Sequence, residues 1–359
     1  MSVFFSYAIS RFVMKKRTAQ RRKSKKNHLY KYLLGIILFF VSIIFLGVYS
    51  LNKYFNQSFV SAYSDDFTPV AEDSFFSVLY IQVNDFDSDP VLVQKAHLSV
   101  FDRSTKKIFI YNIPLEYKVN IIGKYGKESL SKCFALASLE SEDYISRGLS
   151  MFENTLFAIT ALRPDKYILA ENEASDLFDQ YWNKGKLVNL WNIGNISLIR
   201  NSVRTNMSIK DYSSVGKFVE SLPEDRVIYK NIDLKDPDYA DKFDEEIRDI
   251  TFETYMSAGG KSISILNAAE QPGLANLGAR AVRNLGGRVV AINNAQDVYN
   301  ESLIITDLPS PDTTISLISK VFDIKNILNK KSASLYSQSE VDRSDIVVII
   351  GIDKENYLY

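Results

Sequence analysis

A chain of 359 residues is long enough for two ordinary domains, and 46% hydrophobic with 24% charged residues is the balance of folded protein. A formal net charge of zero conceals an asymmetry: residues 1–31 hold ten Lys or Arg and no acid, leaving 33 basic against 43 acidic residues beyond them. The single cysteine, Cys133, excludes an internal disulfide, and the two histidines, His28 and His97, exclude a histidine-rich or zinc-type metal centre.

Residues 1–31 read as a basic cytoplasmic tail. Its densest run, Arg21 to Lys26, lies within ten residues of an apolar segment, so anionic lipid heads are its expected partner and nucleic acid is not. Residues 32–52 contain no charged residue, and Leu33 to Val48 holds thirteen Leu, Ile, Phe or Val. At roughly −0.3 to −0.6 kcal/mol each, these favour insertion by about 4–8 kcal/mol. Tyr30, Tyr32, Tyr49 and Tyr54 flank the run as an aromatic belt would. A cleaved signal peptide would carry a shorter apolar core and a small-residue cleavage site. The pattern therefore predicts an uncleaved transmembrane helix at 32–52. Positive charge on its leading side predicts a single-pass protein of the cytoplasmic membrane, N-terminus cytoplasmic and C-terminal domains extracytoplasmic.

Polar composition at 53–72 predicts a linker. Residues 76–83 read as a strand, and 97–102 with 106–113 as a β-hairpin turning at 103–105. A helix is expected at 128–139. Another is expected at 144–161, where Ile145, Leu149, Phe152, Leu156 and Ile159 follow the 3.6 period. A strand at 166–170 and a helix at 172–182 come next. Thr205 or Ser208 is a natural cap for a further helix, and 226–229 returns as a strand. Such alternation points to an α/β layered domain over 73–258. Beyond it, 259–353 forms a second α/β unit: strands at 261–267, 288–293, 302–306 and 345–351, with helices after Gly273 and over 311–322. Gly273 invites a phosphate-loop reading, but no G-x-G-x-x-G or Walker pattern is present, and a helix start after Pro272 is the plainer role. This unit is expected to fold by itself, with 257–260 as the hinge. The fold class expected is thus α/β, one transmembrane helix followed by two extracytoplasmic α/β layered domains.

The order strand, hairpin, Ile113-Pro114-Leu115-Glu116 running on to Gly123, helix, Asp165 to Leu169, helix, then Val203 to Ser208 resembles the catalytic domain of the LytR-CpsA-Psr proteins of bacterial envelopes. Residues 259–353 look like the LytR C-terminal domain, in the run Ile265-Leu266-Asn267, Pro272-Gly273-Leu274-Ala275, Leu285-Gly286-Gly287 and Asp345 to Asp353. The resemblance implies an envelope protein whose active relatives move a glycopolymer from a polyprenyl pyrophosphate to peptidoglycan, using arginines and an aspartate-held magnesium. Carried residue by residue, the match breaks. The family's Ile-Pro-Arg-Asp is Ile113-Pro114-Leu115-Glu116 here, and the hairpin aspartate is Gln94. Asp85 retains the earlier acidic position, and the arginine-rich stretch after the 172–182 helix has no counterpart. Losing one partner of a buried charge pair costs roughly 2–5 kcal/mol. An arginine and a metal carboxylate together would therefore cost on the order of a thousandfold in rate or more.

The expected function is a non-catalytic, membrane-anchored envelope protein that binds an envelope glycan such as peptidoglycan, a lipid-linked precursor or an envelope protein. No cofactor is expected. An active glycopolymer phosphotransferase, which would need magnesium, and a membrane-tethered transcriptional attenuator are the alternatives. No residue is assigned to catalysis. Asp85, Glu116, Lys124, Lys127, Arg200 and Arg204 are the ligand-binding candidates, the four cations for a polyanion.

Overall fold

The computed structural model describes residues 36–50, 58–60, 75–123, 125–184, 193–251, 256, 259–309, 312–336 and 339–357, with Tyr32, Leu34, Asn52 and Lys53. The chain forms two compact units, Met1–Gln57 and Ser58–Tyr359. In the first, residues 36–50 are helical. The transmembrane expectation is corrected here: among the described residues, no helix is long and apolar enough to cross a membrane. The membrane-spanning helix expected at 32–52 is therefore not supported. The basic tail, 1–31, lies outside the described residues.

The second unit opens with β1 (Ser58–Val60), inside the stretch expected to be linker, then β2 (Phe75–Val83), β3 (Val93–Asp102) and β4 (Lys107–Asn112). A small hairpin follows, β5 (Lys118–Ile121) and β6 (Gly126–Ser129). Only α1 (Cys133–Ala137) remains of the helix expected at 128–139, whose first residues are spent on pairing with β5. The long helix α2 (Tyr144–Thr160) falls where the apolar period places it, started by the Asp143 side chain. Next come β7 (Lys166–Glu171), α3 (Asn172–Lys184), α4 (Ile193–Ser202) and β8 (Val203–Ser208). Thr205 is therefore in a strand, and Ser208 is the cap: with Asp211 it forms a reciprocal capping box at the start of α5 (Ile209–Glu220). β9 (Val227–Asn231) and α6 (Tyr239–Thr251) complete this part.

The strands form one mixed sheet, ordered β1-β8-β7-β2-β3-β4-β9, with β2–β7 and β4–β9 parallel. Both faces are covered. Alternate residues of β2 part accordingly: Leu79, Ile81 and Val83 meet α1, α2 and α6 through Phe134, Phe152, Leu156 and Ile247. Phe76, Val78 and Tyr80 join a separate cluster with Phe178 of α3, Ile199 of α4 and Val215 of α5.

A smaller sheet follows: β10 (Ser262–Asn267), α7 (Leu274–Asn284), β11 (Arg288–Asn294), β12 (Leu303–Thr306), α8 (Thr313–Phe322), β13 (Ile327–Leu328) and β14 (Ile346–Ile350). Its order is β11-β10-β14-β12-β13, with β10 parallel to both neighbours. The apolar cluster on the α2 face of the large sheet continues into Leu277, Ala281, Ile318 and Phe322 of α7 and α8. Polar bonds cross at the same place: Lys320 of α8 pairs with Asp165 at 2.5 Å, and Asp165 also accepts from the amide and hydroxyl of Ser77 on β2.

Candidate functional site

The edge where the resemblance puts phosphate chemistry is the C-terminal end of the parallel pair β2–β7. Asp85 stands there on an exposed turn, and its carboxylate accepts the amide of Asp87 at 2.7 Å. The turn is tied at its base by Asn84, whose side chain donates to the Pro90 carbonyl and accepts from the Leu92 amide. Phe86, the next residue, points inward and is 6% exposed. Its amide donates to Glu171 at 2.7 Å, and its carbonyl accepts the Tyr144 hydroxyl at 2.6 Å. The Arg204 guanidinium lies 4.9 Å from the centre of its ring.

Arg204 is anchored as well. Its Nη1 donates to the carbonyls of Asn201 and Val203 at 3.1 Å and of Arg200 at 3.4 Å, closing the C-terminal end of α4. Asp85 and Arg204 are thus brought to one edge, and Arg200 is exposed at the C-terminal end of α4. Glu116 is exposed in the turn after β4, beside a half-buried Leu115 that packs on the core. Lys127 is exposed on β6 opposite Asn120. Among the described residues, no hydrogen bond or ion pair joins Glu116 or Lys127 to the Asp85 edge. Lys124 lies outside the described residues.

The residues at this edge do not fit a magnesium site. Glu171 is spent on the Phe86 amide, Asp85 on its own turn, and position 94 is an exposed glutamine on β3. Among the described residues, no group of three or more His, Cys, Asp or Glu is arranged to hold a metal ion. Phe86, Tyr144 and Glu171 are the residues that sequence reasoning missed. The available signal was an aromatic residue set between Asp85 and Asp87.

On the opposite face of the sheet, Ile168, Phe178, Ile199, Val203, Thr205 and Tyr212 help line an apolar cavity of about 20 Å³. That is room for about one water-sized group, not for a polyprenyl chain. The alternation of β8 sends Val203, Thr205 and Met207 toward this cavity and Arg204 to the other face. Cation and apolar slot therefore do not combine into one headgroup-and-tail site.

The layers define a mixed α/β protein with a closed, aromatic-plugged strand edge. No family model and no curated protein matches the chain. Solved structures similar to it include a transcriptional regulator, yvhJ, from Bacillus subtilis, at 10% identity over 50% of this chain and 98% of the other, with a TM-score of 0.37. The TagV protein of B. subtilis matches at 11% identity over 50% and 98%, with a TM-score of 0.38. The LytR-CPS2A-psr family protein YwtF (TagT), with bound octaprenyl pyrophosphate lipid, matches at 13% identity over 54% and 96%, with a TM-score of 0.36. Likenesses this loose carry no inference about the chemistry of this chain.

Proposed function

We propose that the chain is a non-catalytic binding protein of the cell envelope, of LytR-CpsA-Psr type, that engages an envelope glycopolymer or its lipid-linked precursor without transferring it. The glycopolymer class rests on the sequence resemblance over 75–230 and 259–353. The loss of transfer rests on one structural observation: Phe86 fills the strand edge, and the three polar side chains nearest it, those of Glu171, Tyr144 and Arg204, are committed to holding it. A pyrophosphate needs several cations free to close on it together. At this edge Arg204 is tethered by its own helix end. Leu115, where the family carries an arginine, is packed on the core. Arg200, exposed at the end of α4, is a cation among the described residues that could meet a phosphate group.

The test is equilibrium binding of the full chain to vesicles carrying a polyprenyl-phosphate-linked saccharide, against vesicles matched in charge but lacking it. The basic tail draws the protein to both at low salt, so the comparison is made at about 0.15 M salt or above, where the Debye length is about 8 Å or less. Saturable preference for the saccharide lipid, weakened about three- to tenfold by Arg200→Ala, is expected. Equal binding to both vesicles would remove the reading.

A further inference from the structure

The smaller sheet carries a second concavity that the preceding reading does not use. β10 ends at Asn267 and β11 at Asn294, two parallel strands side by side. Beyond their C-terminal ends the loop 268–273 runs into α7, while the loop 295–302 passes the end of β10 on its way across the sheet to β12. Open α/β sheets form ligand crevices at such places. Here the loops border a half-open crevice of about 540 Å³, whose lining includes Asn267, Glu270, Asn294, Gln296 and Asp297, with Pro272 and Val298 in its apolar part. That volume is within the roughly 300–1,000 Å³ range of small-ligand sites.

The walls are held before any ligand arrives. The Ala295 amide donates to the Asn267 carbonyl at 2.8 Å and the Tyr299 amide to the Ala268 carbonyl at 3.0 Å, stitching one loop to the other. The Asn267 side chain donates to the Gln271 carbonyl at 2.9 Å and accepts from the Ala269 amide at 3.1 Å. Tyr299 is seated against Tyr336, ring centres 5.0 Å apart.

The lining selects a ligand class. With Asn267 engaged in the wall, the lining carries the carboxamides of Asn294 and Gln296, the carboxylates of Glu270 and Asp297, and no Lys or Arg. Phosphate-bearing chains are disfavoured by Glu270 and Asp297. Carboxamides present donor and acceptor side by side, as hydroxyl groups do, and the partly exposed Val298 with Pro272 suits the C–H face of a pyranose ring. We infer that this crevice is a saccharide site, taking a short sugar chain that is neutral or carries an amine. The inference stands on the crevice alone and uses no residue of the Asp85 edge.

Calorimetric titration of the full chain with chitotriose, and separately with its deacetylated counterpart, tests it. At least one should saturate, at up to about 10 mM, and which one does decides whether the sugar is acetylated or amine-bearing. Asn294→Ala and Asp297→Ala should each weaken that binding about tenfold, with unchanged melting temperature. Should Asn294→Ala lower the melting temperature, Val298→Glu, at a position 46% exposed, supplies the same test. The inference is overturned if neither sugar saturates, if folded crevice variants bind as well as the parent, or if tripolyphosphate competes for the site.

Discussion

Arg280 of α7 reaches across from the smaller sheet to the buried carboxylate of Asp244 on α6, donating through Nε at 2.7 Å and Nη2 at 3.1 Å. Asn284 adds a third bond to the same carboxylate at 2.8 Å, and Thr251 donates to the Asn284 carbonyl at 2.7 Å. Asp244→Ala takes the carboxylate from both donors, leaving the guanidinium its bond to the Ile159 carbonyl at 3.3 Å and the amide its bond to the Thr160 carbonyl at 3.4 Å. Breaking a fully buried pair costs about 3–5 kcal/mol. The Arg280 side chain keeps 26% exposure, so about 2–4 kcal/mol is expected, read from the denaturant midpoint at unchanged m-value. An isolated 259–353 fragment loses this acceptor and also the apolar cover of α7. It should therefore melt at lower denaturant than the same strands do in the full chain, a comparison that hydrogen exchange makes directly.

Gly148 of α2 gives a prediction of unusual sign. Replacing glycine by alanine inside a helix ordinarily stabilises by about 1 kcal/mol. Here a Cβ would meet the Phe134 ring at 2.5 Å and the Phe134 Cα at 2.9 Å. The backbone of α1 cannot step aside cheaply, and overpacking costs about 1–3 kcal/mol. Gly148→Ala should therefore be net destabilising by thermal melt. A rise in melting temperature would mean that α1 does not lie against α2 in this way.

His97 predicts a pH dependence. Its ring is 4% exposed and stacks on Tyr80 with centres 4.9 Å apart. Burial first, and the neighbouring Lys95 second, push the imidazole from its ordinary 6.5 down to about 3. The unfolded chain takes up a proton below pH 6.5, while the folded chain does so only near pH 3. Stability from this group is therefore fully present above 6.5 and drains as pH falls through that window, by up to about 1.4 kcal/mol per pH unit. Denaturant melts between pH 7.5 and 4 should show a shallower slope for His97→Phe than for the parent. Parallel slopes would place His97 in contact with water.

Periodic signals in the chain translate well into elements. The apolar positions of 144–161 became α2, and the runs at 76–83 and 166–170 became the central parallel pair. What failed needed distant partners. Thr205 resembles a helix cap, yet Val203, Thr205 and Met207 alternate into a buried face because β8 pairs with β7. Residues 128–129, the start of the expected helix, are claimed by β5, and the three residues of β1 carry no pattern until β8 supplies the ladder. The site divides in the same way. Asp85 and Arg204 could be named from motif position. The Phe86 plug depends on Glu171, 85 residues later in the chain, which no local pattern reveals.

The most direct measurement is a transfer assay with the full chain, a polyprenyl-pyrophosphate-linked glycan, an acceptor glycan and magnesium or manganese. No product above the protein-free background is expected, for the parent and equally for Leu115→Arg, because one restored arginine does not reopen an edge filled by Phe86. Asp85→Ala and Glu116→Ala, both at exposed positions, should change neither this result nor the stability by more than about 0.5 kcal/mol. Metal-dependent transfer by the parent, lost in Asp85→Ala with folding intact, would contradict the account.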